Sequence, residues 1–213
     1  LMANSGETWY NNSTSTNHIW RVNTDDTFEI LQGWFYRAEW DVAAMLPLEA
    51  AGDSIASISK DPGTNVDQYP SDFDDSTDQC RTFTRFIPRK IDPAGTVTFY
   101  LAWYDTNAGG TCGGTSNSNC NVIWDVRTTA ATRNTGSFDT SKTTTAAAAS
   151  TASSTQDTLT ILSWTGTISA LSWNAANGFI TGELCRDANN ASDNLVGAAR
   201  APRFAIDFPV TAL

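Results

Sequence analysis

Acidic side chains are the groups in this sequence whose number and spacing best suit chemistry. The 213 residues contain 23 Asp and Glu, 13 Lys and Arg, and a single histidine, His18. A serine or cysteine nucleophile needs a neighbouring base, and no G-x-S-x-G or comparable motif accompanies His18. The sequence therefore argues against catalysis by a nucleophile–base triad.

Two pairs of carboxylates have the residue types that a glycosidase uses as general acid and base. Glu39 and Asp41 flank Trp40, and Glu183 precedes Asp187 near the end of a strand-like segment. Carboxylates at strand ends are commonly solvated or hydrogen-bonded within the fold, and we interpret both pairs in this way. We therefore predict no catalytic residues and no enzymatic activity.

The run DFDDSTDQ has the oxygen density of a calcium-binding loop. It lacks the glycine and the terminal glutamate of the helix–loop–helix calcium motif. Local hydrogen bonds from Asp and Ser side chains also explain such a run, as a turn before a strand. We favour the turn and predict neither a metal nor another cofactor. The calcium alternative would use Asp72, Asp74, Asp75 and Asp78.

The pairing of four cysteines indicates the redox environment in which the protein works. Cys112 and Cys120 bracket the loop GGTSNSN, and a disulfide between them would close a hairpin tip. Cys80 and Cys185 lie in the strand-like segments QCRTFTRF and GELCRD, and either pair across neighbouring strands or are two small buried residues. Zinc is disfavoured because no C-x-x-C pair is present. Two disulfides would indicate an oxidising compartment or a thermophilic source.

Short runs of β-branched and aromatic residues, separated by Gly, Asn, Asp and Pro, predict an all-β antiparallel sandwich. The strongest predicted strands are 80–87, 96–104, 122–128, 157–168, 179–185 and 204–210. The Ala/Thr-rich stretch 143–155 is predicted as an extended edge strand with a bend, and a short helix or a mobile surface loop are the alternatives. The expected core comprises Phe83, Phe99, Leu101, Trp103, Val122, Trp124, Leu159, Ile161, Ile180 and Ile206.

Residues 1–40 differ from the body at 41–213 because they are rich in Asn, Thr and Trp. This segment is too short for its own core and too aromatic for a disordered tail. We predict an N-terminal arm with strands at 19–22, 27–31 and 33–36 that packs on the body or on a neighbouring subunit. The predicted assembly contacts are Trp9, Tyr10, Trp20, Phe35 and Trp40.

The charge balance disfavours two classes of partner. Charged residues make up 17% of the chain and the net charge is −10. Nucleic acids and anionic membranes are both bound through clustered Lys and Arg, which this chain does not have. No apolar run approaches the length of a membrane helix. We therefore predict no nucleic-acid partner and no membrane association.

The order of several segments resembles a group of phage and metagenomic virion-associated proteins. The turn FDDSTDQ precedes the strand RTFTRFIP; GTVTFYLAWY and NVIWDVR follow, and GELCRDANNASDNLVGAARAPRFAIDF closes the domain. The similarity covers roughly residues 50–210. It implies a single-domain β-sandwich of jelly-roll type, without enzymatic activity, that decorates a capsid or belongs to a tail or fibre.

This resemblance implies a location on a virion surface or outside the cell. The expected partners are further copies of the chain or other virion subunits, with a cell-surface glycan as a further candidate. One alternative is an exported filament or pilus-like subunit whose arm completes a neighbour's sheet. A second alternative is a carbohydrate-binding module that uses exposed tryptophans.

Overall fold

The chain forms a β-sandwich in the computed structural model, which describes residues 8–10, 19–22, 28–30, 34–47, 54–58, 61–62, 67–86, 91–105, 111–112, 115–116, 120–132, 143–153, 157–168 and 177–210. Within these residues the regular structure is β-strand apart from one 3-10 turn, η1 (Val42–Ala44). The predicted all-β antiparallel sandwich is confirmed. No helix in these ranges is long and apolar enough to cross a membrane.

Twenty strands lie in the described residues. In chain order they are β1 (Thr8–Tyr10), β2 (Ile19–Val22), β3 (Phe28–Ile30), β4 (Trp34–Asp41), β5 (Leu46–Pro47), β6 (Ser54–Ile55), β7 (Ser57–Ile58), β8 (Asp61–Pro62), β9 (Asp67–Gln68), β10 (Ser71–Phe73), β11 (Gln79–Phe86), β12 (Thr96–Asp105), β13 (Thr111–Cys112), β14 (Thr115–Ser116), β15 (Asn121–Thr132), β16 (Thr143–Thr151), β17 (Thr160–Thr167), β18 (Asn177–Arg186), β19 (Leu195–Val196) and β20 (Ala199–Val210).

Two six-stranded sheets form the sandwich. The front sheet has the order β17-β12-β20-β10-β7, and β4 also pairs with β20. The back sheet has the order β16-β15-β18-β11-β5, and β6 also pairs with β11. All of these pairs are antiparallel except β6 with β11. The Ala/Thr-rich strand β16 lies at an edge of the back sheet, which confirms the predicted edge strand.

Aromatic side chains from both sheets meet in the core. The ring centroids of Phe83 and Phe204 are 5.3 Å apart, and those of Phe73 and Trp124 are 5.1 Å apart. The indole N–H of Trp103 donates to the Ser150 hydroxyl at 2.8 Å, which satisfies a buried polar group between the sheets. Edge-to-face and offset ring pairs of this kind stabilise a core beyond their buried area.

The predicted core is confirmed at eight of ten positions, and two positions are wrong. Leu159 and Ile161 are 54% and 62% exposed. β17 also carries Leu162 and Trp164 on the opposite face, and these two residues pack on the core. Because both faces of this strand carry apolar residues, its alternation pattern did not show which face is buried.

The sandwich begins earlier than the predicted boundary at residue 41. Strand β4 pairs with β20 along its whole length, from Trp34 opposite Val210 to Asp41 opposite Arg203. Residues 34–40 of the predicted arm therefore belong to the front sheet, because they supply hydrogen bonds and buried side chains to it. The chain then passes through η1, where the Asp41 carboxylate accepts the Ala43 N–H at 3.1 Å, into β5 of the back sheet.

Candidate functional site

The outer surface of the front sheet, hereafter the front face, carries several charged and hydroxyl-bearing side chains. Side chains alternate across a strand, so residues opposite one another in register share a face. Val97, Phe99 and Leu101 of β12 point into the core, so the alternate residues point outward. Four long strands, β4, β12, β17 and β20, supply most of the front face. Their outward residues are Phe35, Arg37, Glu39 and Asp41 of β4; Thr96, Thr98, Tyr100 and Ala102 of β12; Ile161, Ser163, Thr165 and Thr167 of β17; and Arg203, Ala205 and Asp207 of β20.

Arg37, on β4, is held in place on this face by side chains of β20 and β12. Its Nε and Nη2 donate to Oδ1 and Oδ2 of Asp207 at 2.6 and 2.7 Å. Its guanidinium carbon lies 4.9 Å from the centre of the Tyr100 ring. Bidentate pairing and stacking on an aromatic ring hold the planar group in one orientation. Half of the Arg37 side chain remains exposed, whereas the Asp207 side chain is 11% exposed.

The ion pair also reinforces the positive charge that the Arg37 guanidinium carries at any ordinary pH. The hydrogen bond to Asp207 raises the pKa of Arg37 further above its ordinary value, and burial opposes this effect only in part. Neither bond to Asp207 uses Nη1. The front face therefore presents a permanently charged, oriented hydrogen-bond donor to solvent.

Further polar groups surround Arg37 in register, and together they form what we call the front-face cluster: Arg37, Glu39, Tyr100, Arg203 and Asp207. Glu39 is the next outward residue of β4 and lies opposite Ala205, and Arg203 lies opposite Asp41. Glu39, Asp41 and Arg203 are exposed. Ser163 lies opposite Tyr100 and Thr165 lies opposite Thr98, so a ladder of hydroxyl groups borders the cluster.

The predicted aromatic contacts divide into two classes. Phe35 is 59% exposed and lies on the front face beside Arg37. Trp40 points inward and packs against Phe83 and Phe204, with ring centroids 5.0 and 5.7 Å away. These contacts give the Trp40 ring a packing role within the chain, and its predicted assembly role stays a prediction. The side chains of Trp9, Tyr10 and Trp20 lie outside the described residues, and their assembly role stays a prediction.

The tryptophans whose side chains are described do not form an exposed sugar-stacking surface. Trp103 and Trp124 are completely buried, as expected from their positions in mid-strand, and Trp164 is 8% exposed. Trp40 is partly buried against the same core. Any glycan contact through the described part of the chain would therefore use other groups.

The disulfide between Cys80 and Cys185 is present, which resolves the two alternatives left open by the sequence. The two residues lie directly opposite each other in β11 and β18, and both are fully buried. Cys120 is also disulfide-bonded. The Cys112 side chain lies outside the described residues, so the predicted pairing of Cys112 with Cys120 stays a prediction.

The run DFDDSTDQ, residues 72–79, forms a turn that we call the acidic turn, and its carboxylates accept hydrogen bonds from other groups of the protein. Asp72 Oδ1 accepts from Arg200 Nε at 2.8 Å, and Asp75 Oδ2 accepts the Gly197 N–H at 2.6 Å. Asp78 Oδ1 accepts the Asn189 N–H at 3.1 Å. Asp74 accepts from the hydroxyl and N–H of Ser76, and these bonds lower its pKa.

These contacts favour the hydrogen-bonded turn over the calcium site. Asp72, Asp74 and Asp75 also line a cavity of about 260 Å³ with Ser57 and Gln79. In the described part of the chain, one group of three potential ligand atoms converges, from Cys80, Glu183 and Cys185. Both of those sulfur atoms are joined in the disulfide, so they are not available as thiolate ligands.

Arg186, the last residue of β18, connects the acidic turn to the loop that follows it in the chain, at residues 187–198. Its side chain is completely buried and forms a bidentate pair with Asp193, with Nε–Oδ2 at 3.0 Å and Nη2–Oδ1 at 2.7 Å. The same guanidinium donates to the carbonyls of Phe73, Leu195 and Gly197. All five N–H groups of the side chain are thereby satisfied. We call this arrangement the Arg186 clasp.

The two candidate acid–base pairs, Glu39 with Asp41 and Glu183 with Asp187, are consistent with the interpretation that these carboxylates are solvated or hydrogen-bonded within the fold. The Asp41 carboxylate caps η1, and Asp187 accepts from the Asn190 side chain at 3.0 Å. Glu39 is exposed, whereas Glu183 is 3% exposed on the back sheet. The absence of enzymatic activity stays a prediction.

The sequence reasoning missed Arg37, Tyr100, Arg203 and Asp207. In each of their strands, polar or amphipathic residues alternate with apolar ones. That alternation indicates that these four side chains point outward. Their proximity depends on the registers of three strands far apart in the chain, which the sequence alone does not specify.

Comparison with known proteins identifies no family for this chain. No protein-family model matches it, and no curated protein matches it. The virion family suggested by the segment order therefore stays a prediction.

Several solved structures match this chain at low sequence identity. A xylan-binding module, CBM15, is 13% identical over 84% of this chain and 100% of its own, with a TM-score of 0.43. An exo-β-1,3-galactanase from Phanerochaete chrysosporium is 8% identical over 88% of this chain, with a TM-score of 0.40. The chain spans about a third of the galactanase, 32% of its length. At these identities and TM-scores, nothing about ligand or activity follows for this chain.

Proposed function

We propose that this protein is a non-catalytic module that binds a hydroxyl-rich glycan on its front face. The observation that supports this proposal most directly is the fixed, half-exposed guanidinium of Arg37, held by Asp207 over Tyr100. A donor that is already oriented loses little side-chain entropy when a ligand binds. Such preorganisation at an exposed surface serves recognition better than it serves packing.

The front-face cluster supplies the hydrogen-bonding groups that sugar hydroxyls require. Arg37 and Arg203 are donors, and Glu39 is an acceptor, so neighbouring hydroxyls of one sugar ring have partners of both kinds. The exposed Phe35 ring, at the end of the same row of outward residues, offers an apolar surface to the C–H face of a sugar. Ser163, Thr165 and Thr167 of β17 are exposed on the same face, so hydroxyl groups continue along the strand.

The charge of the face favours a neutral glycan. Arg37 and Arg203 contribute two positive charges, and Glu39, Asp41 and Asp207 contribute three negative ones, so the face is negative by one charge. The whole chain carries a net charge of −10. A polyanionic glycan would be repelled at long range, because complementary potential is what steers charged ligands.

The disulfide pattern suits the same role. Cys80 and Cys185 are joined, and Cys120 is also bonded. Disulfides persist in oxidising compartments, so we propose that the protein functions outside the cell, where glycans are accessible. We further propose that it does not cleave them, because Asp41, the second carboxylate that an acid–base couple with Glu39 would need, accepts the Ala43 N–H and caps η1.

The proposal is tested by comparing two arginines that each lie over a tyrosine ring. Arg37→Ala should weaken binding to a neutral oligosaccharide by roughly 10- to 100-fold, the equivalent of one or two hydrogen bonds to a charged group. Arg85 lies over the Tyr36 ring at 5.8 Å and donates to its hydroxyl, at the end of the sandwich and off the front face. Arg85→Ala should therefore leave the affinity unchanged.

The measurement is isothermal titration calorimetry with oligosaccharides chosen from a panel of neutral and acidic polysaccharides by affinity gel electrophoresis. Binding of neutral members by the wild type, lost in Arg37→Ala and retained in Arg85→Ala, would support the proposal. Equal loss in both variants, or binding of none of the panel, would contradict it.

A further inference from the structure

Strand β4 is an edge of the front sheet. It pairs with β20 along its whole length, and within the described ranges no other strand pairs with it. Phe35 is 59% exposed, Tyr36 is 37% exposed, and half of the Arg37 side chain is exposed. An exposed edge of this kind presents unpaired backbone N–H and C=O groups, to which another strand can pair.

We infer that two copies of this protein associate through β4, antiparallel, about a two-fold axis perpendicular to the front sheet. Such an axis places one residue of β4 opposite the same residue of the second copy. An axis at Arg37 would oppose two arginines, and an axis at Glu39 would oppose two glutamates. An axis at Ala38 instead places Arg37 opposite Glu39 of the second copy, twice.

The sequence of β4 is therefore self-complementary in the register centred on Ala38. Opposite charges directly across two strands contribute roughly 0.2–1 kcal/mol for each pair, whereas like charges destabilise the pairing. The Arg37 guanidinium stays over Tyr100 in this arrangement, and Glu39 of the second copy faces a positive residue. On the inward side, the same register places Tyr36 opposite Trp40 of the second copy, which extends the aromatic packing.

The contact is small, since one strand of each copy takes part. Interfaces of that size belong to weak or transient complexes, so we expect dissociation constants in the micromolar range, on the order of 10–100 μM. The two-fold axis keeps both front faces on the same side of one continuous sheet. The observations behind this inference differ from those behind glycan binding, because it rests on the edge and the register of β4, although both proposals involve Arg37 and Glu39.

The register is tested with two variants that each add one cysteine at an exposed position, Phe35→Cys and Asp41→Cys. In the proposed register these two residues lie directly opposite each other across the axis, at a Cα separation of about 4.5–5.5 Å. Two copies of the same variant place their new cysteines roughly 20 Å apart, at about 3.4 Å per residue. A disulfide requires Cα atoms within about 7 Å.

Mild oxidation of a mixture of the two variants should therefore yield a disulfide-linked heterodimer, and neither variant alone should yield a homodimer at a comparable rate. Sedimentation velocity of the unmodified protein should show a dimer whose share rises with protein concentration up to about 100 μM. Crosslinking that is equally fast within one variant would overturn the register. A strict monomer would overturn the inference, and an oligomer without the mixed crosslink would overturn the role of β4 and favour contacts through the arm.

Discussion

Replacement of Arg186 by methionine should lower the free energy of unfolding by about 3–5 kcal/mol, because it leaves buried groups without a partner. Asp193 would retain a charge in a site where its side chain is 2% exposed. The carbonyls of Phe73, Leu195 and Gly197 would lose their shared donor. Each unsatisfied buried polar group carries its own desolvation penalty, and here several arise together.

The loss is measured by urea unfolding followed by tryptophan fluorescence. The matched control is Arg203→Met, which removes an exposed arginine from strand β20 of the sandwich. It should change the free energy of unfolding by less than about 0.5 kcal/mol. Arg186→Lys should fall between the two variants, because an ammonium group retains the charge but lacks the planar fork. A loss below about 1 kcal/mol in Arg186→Met would show that the clasp is not a main source of stability.

Removal of the Cys80–Cys185 disulfide, as Cys80→Ala with Cys185→Ala, should cost about 3–5 kcal/mol. The bond closes a loop with a sequence separation of 105 residues. In the chain-entropy account, a loop of that length restricts the unfolded chain strongly. Both cysteines are also completely buried, so the variant loses sulfur contacts in the folded state as well.

The comparison is the pair Cys112→Ala with Cys120→Ala, in which the predicted disulfide closes a much shorter loop. That variant should lose only about 2–3 kcal/mol, since the entropy term grows with the logarithm of loop length. Mass spectrometry of a non-reduced digest should also find the Cys112 and Cys120 peptides linked. Equal destabilisation by the two double variants would contradict the loop-length explanation.

The strands and most of the core were predictable because strong local alternation coincides with burial. In β12, Val97, Phe99, Leu101 and Trp103 alternate with polar or small residues, and all four are buried. β17 was not predictable in the same way, since apolar residues occupy both of its faces. β4 was assigned to the arm because its partner, β20, lies at the other end of the chain.

The segment order that suggested a virion protein has a structural explanation in this fold. Arg186, Asp193, Leu195 and Gly197 belong to the closing segment, and each contributes a side chain or a carbonyl to the Arg186 clasp. Gly197 has a φ of 99°, a conformation that favours glycine. Its N–H donates to Asp75 of the acidic turn. These motifs therefore report how the loops are held together, and they do not by themselves specify a function.

The candidate site was the least predictable part of the molecule. Arg37, Tyr100 and Asp207 come from three strands, and their contact requires the registers of β4 and β12 on β20. A single-residue shift in either register would turn one of these side chains toward the core. Composition indicated an acidic protein with few basic residues, and only the fold shows two of its arginines on one face.

The most direct test of glycan binding on the front face is a ¹H–¹⁵N correlation NMR titration of the full chain with the tightest neutral oligosaccharide from the panel. The account predicts saturable shifts at the Arg37 Nε–H resonance and at backbone amides of β4, β12 and β17, with amides around Phe86 and Phe179 unchanged. Shifts confined to the back sheet, or no saturable shift with any neutral oligosaccharide, would contradict it.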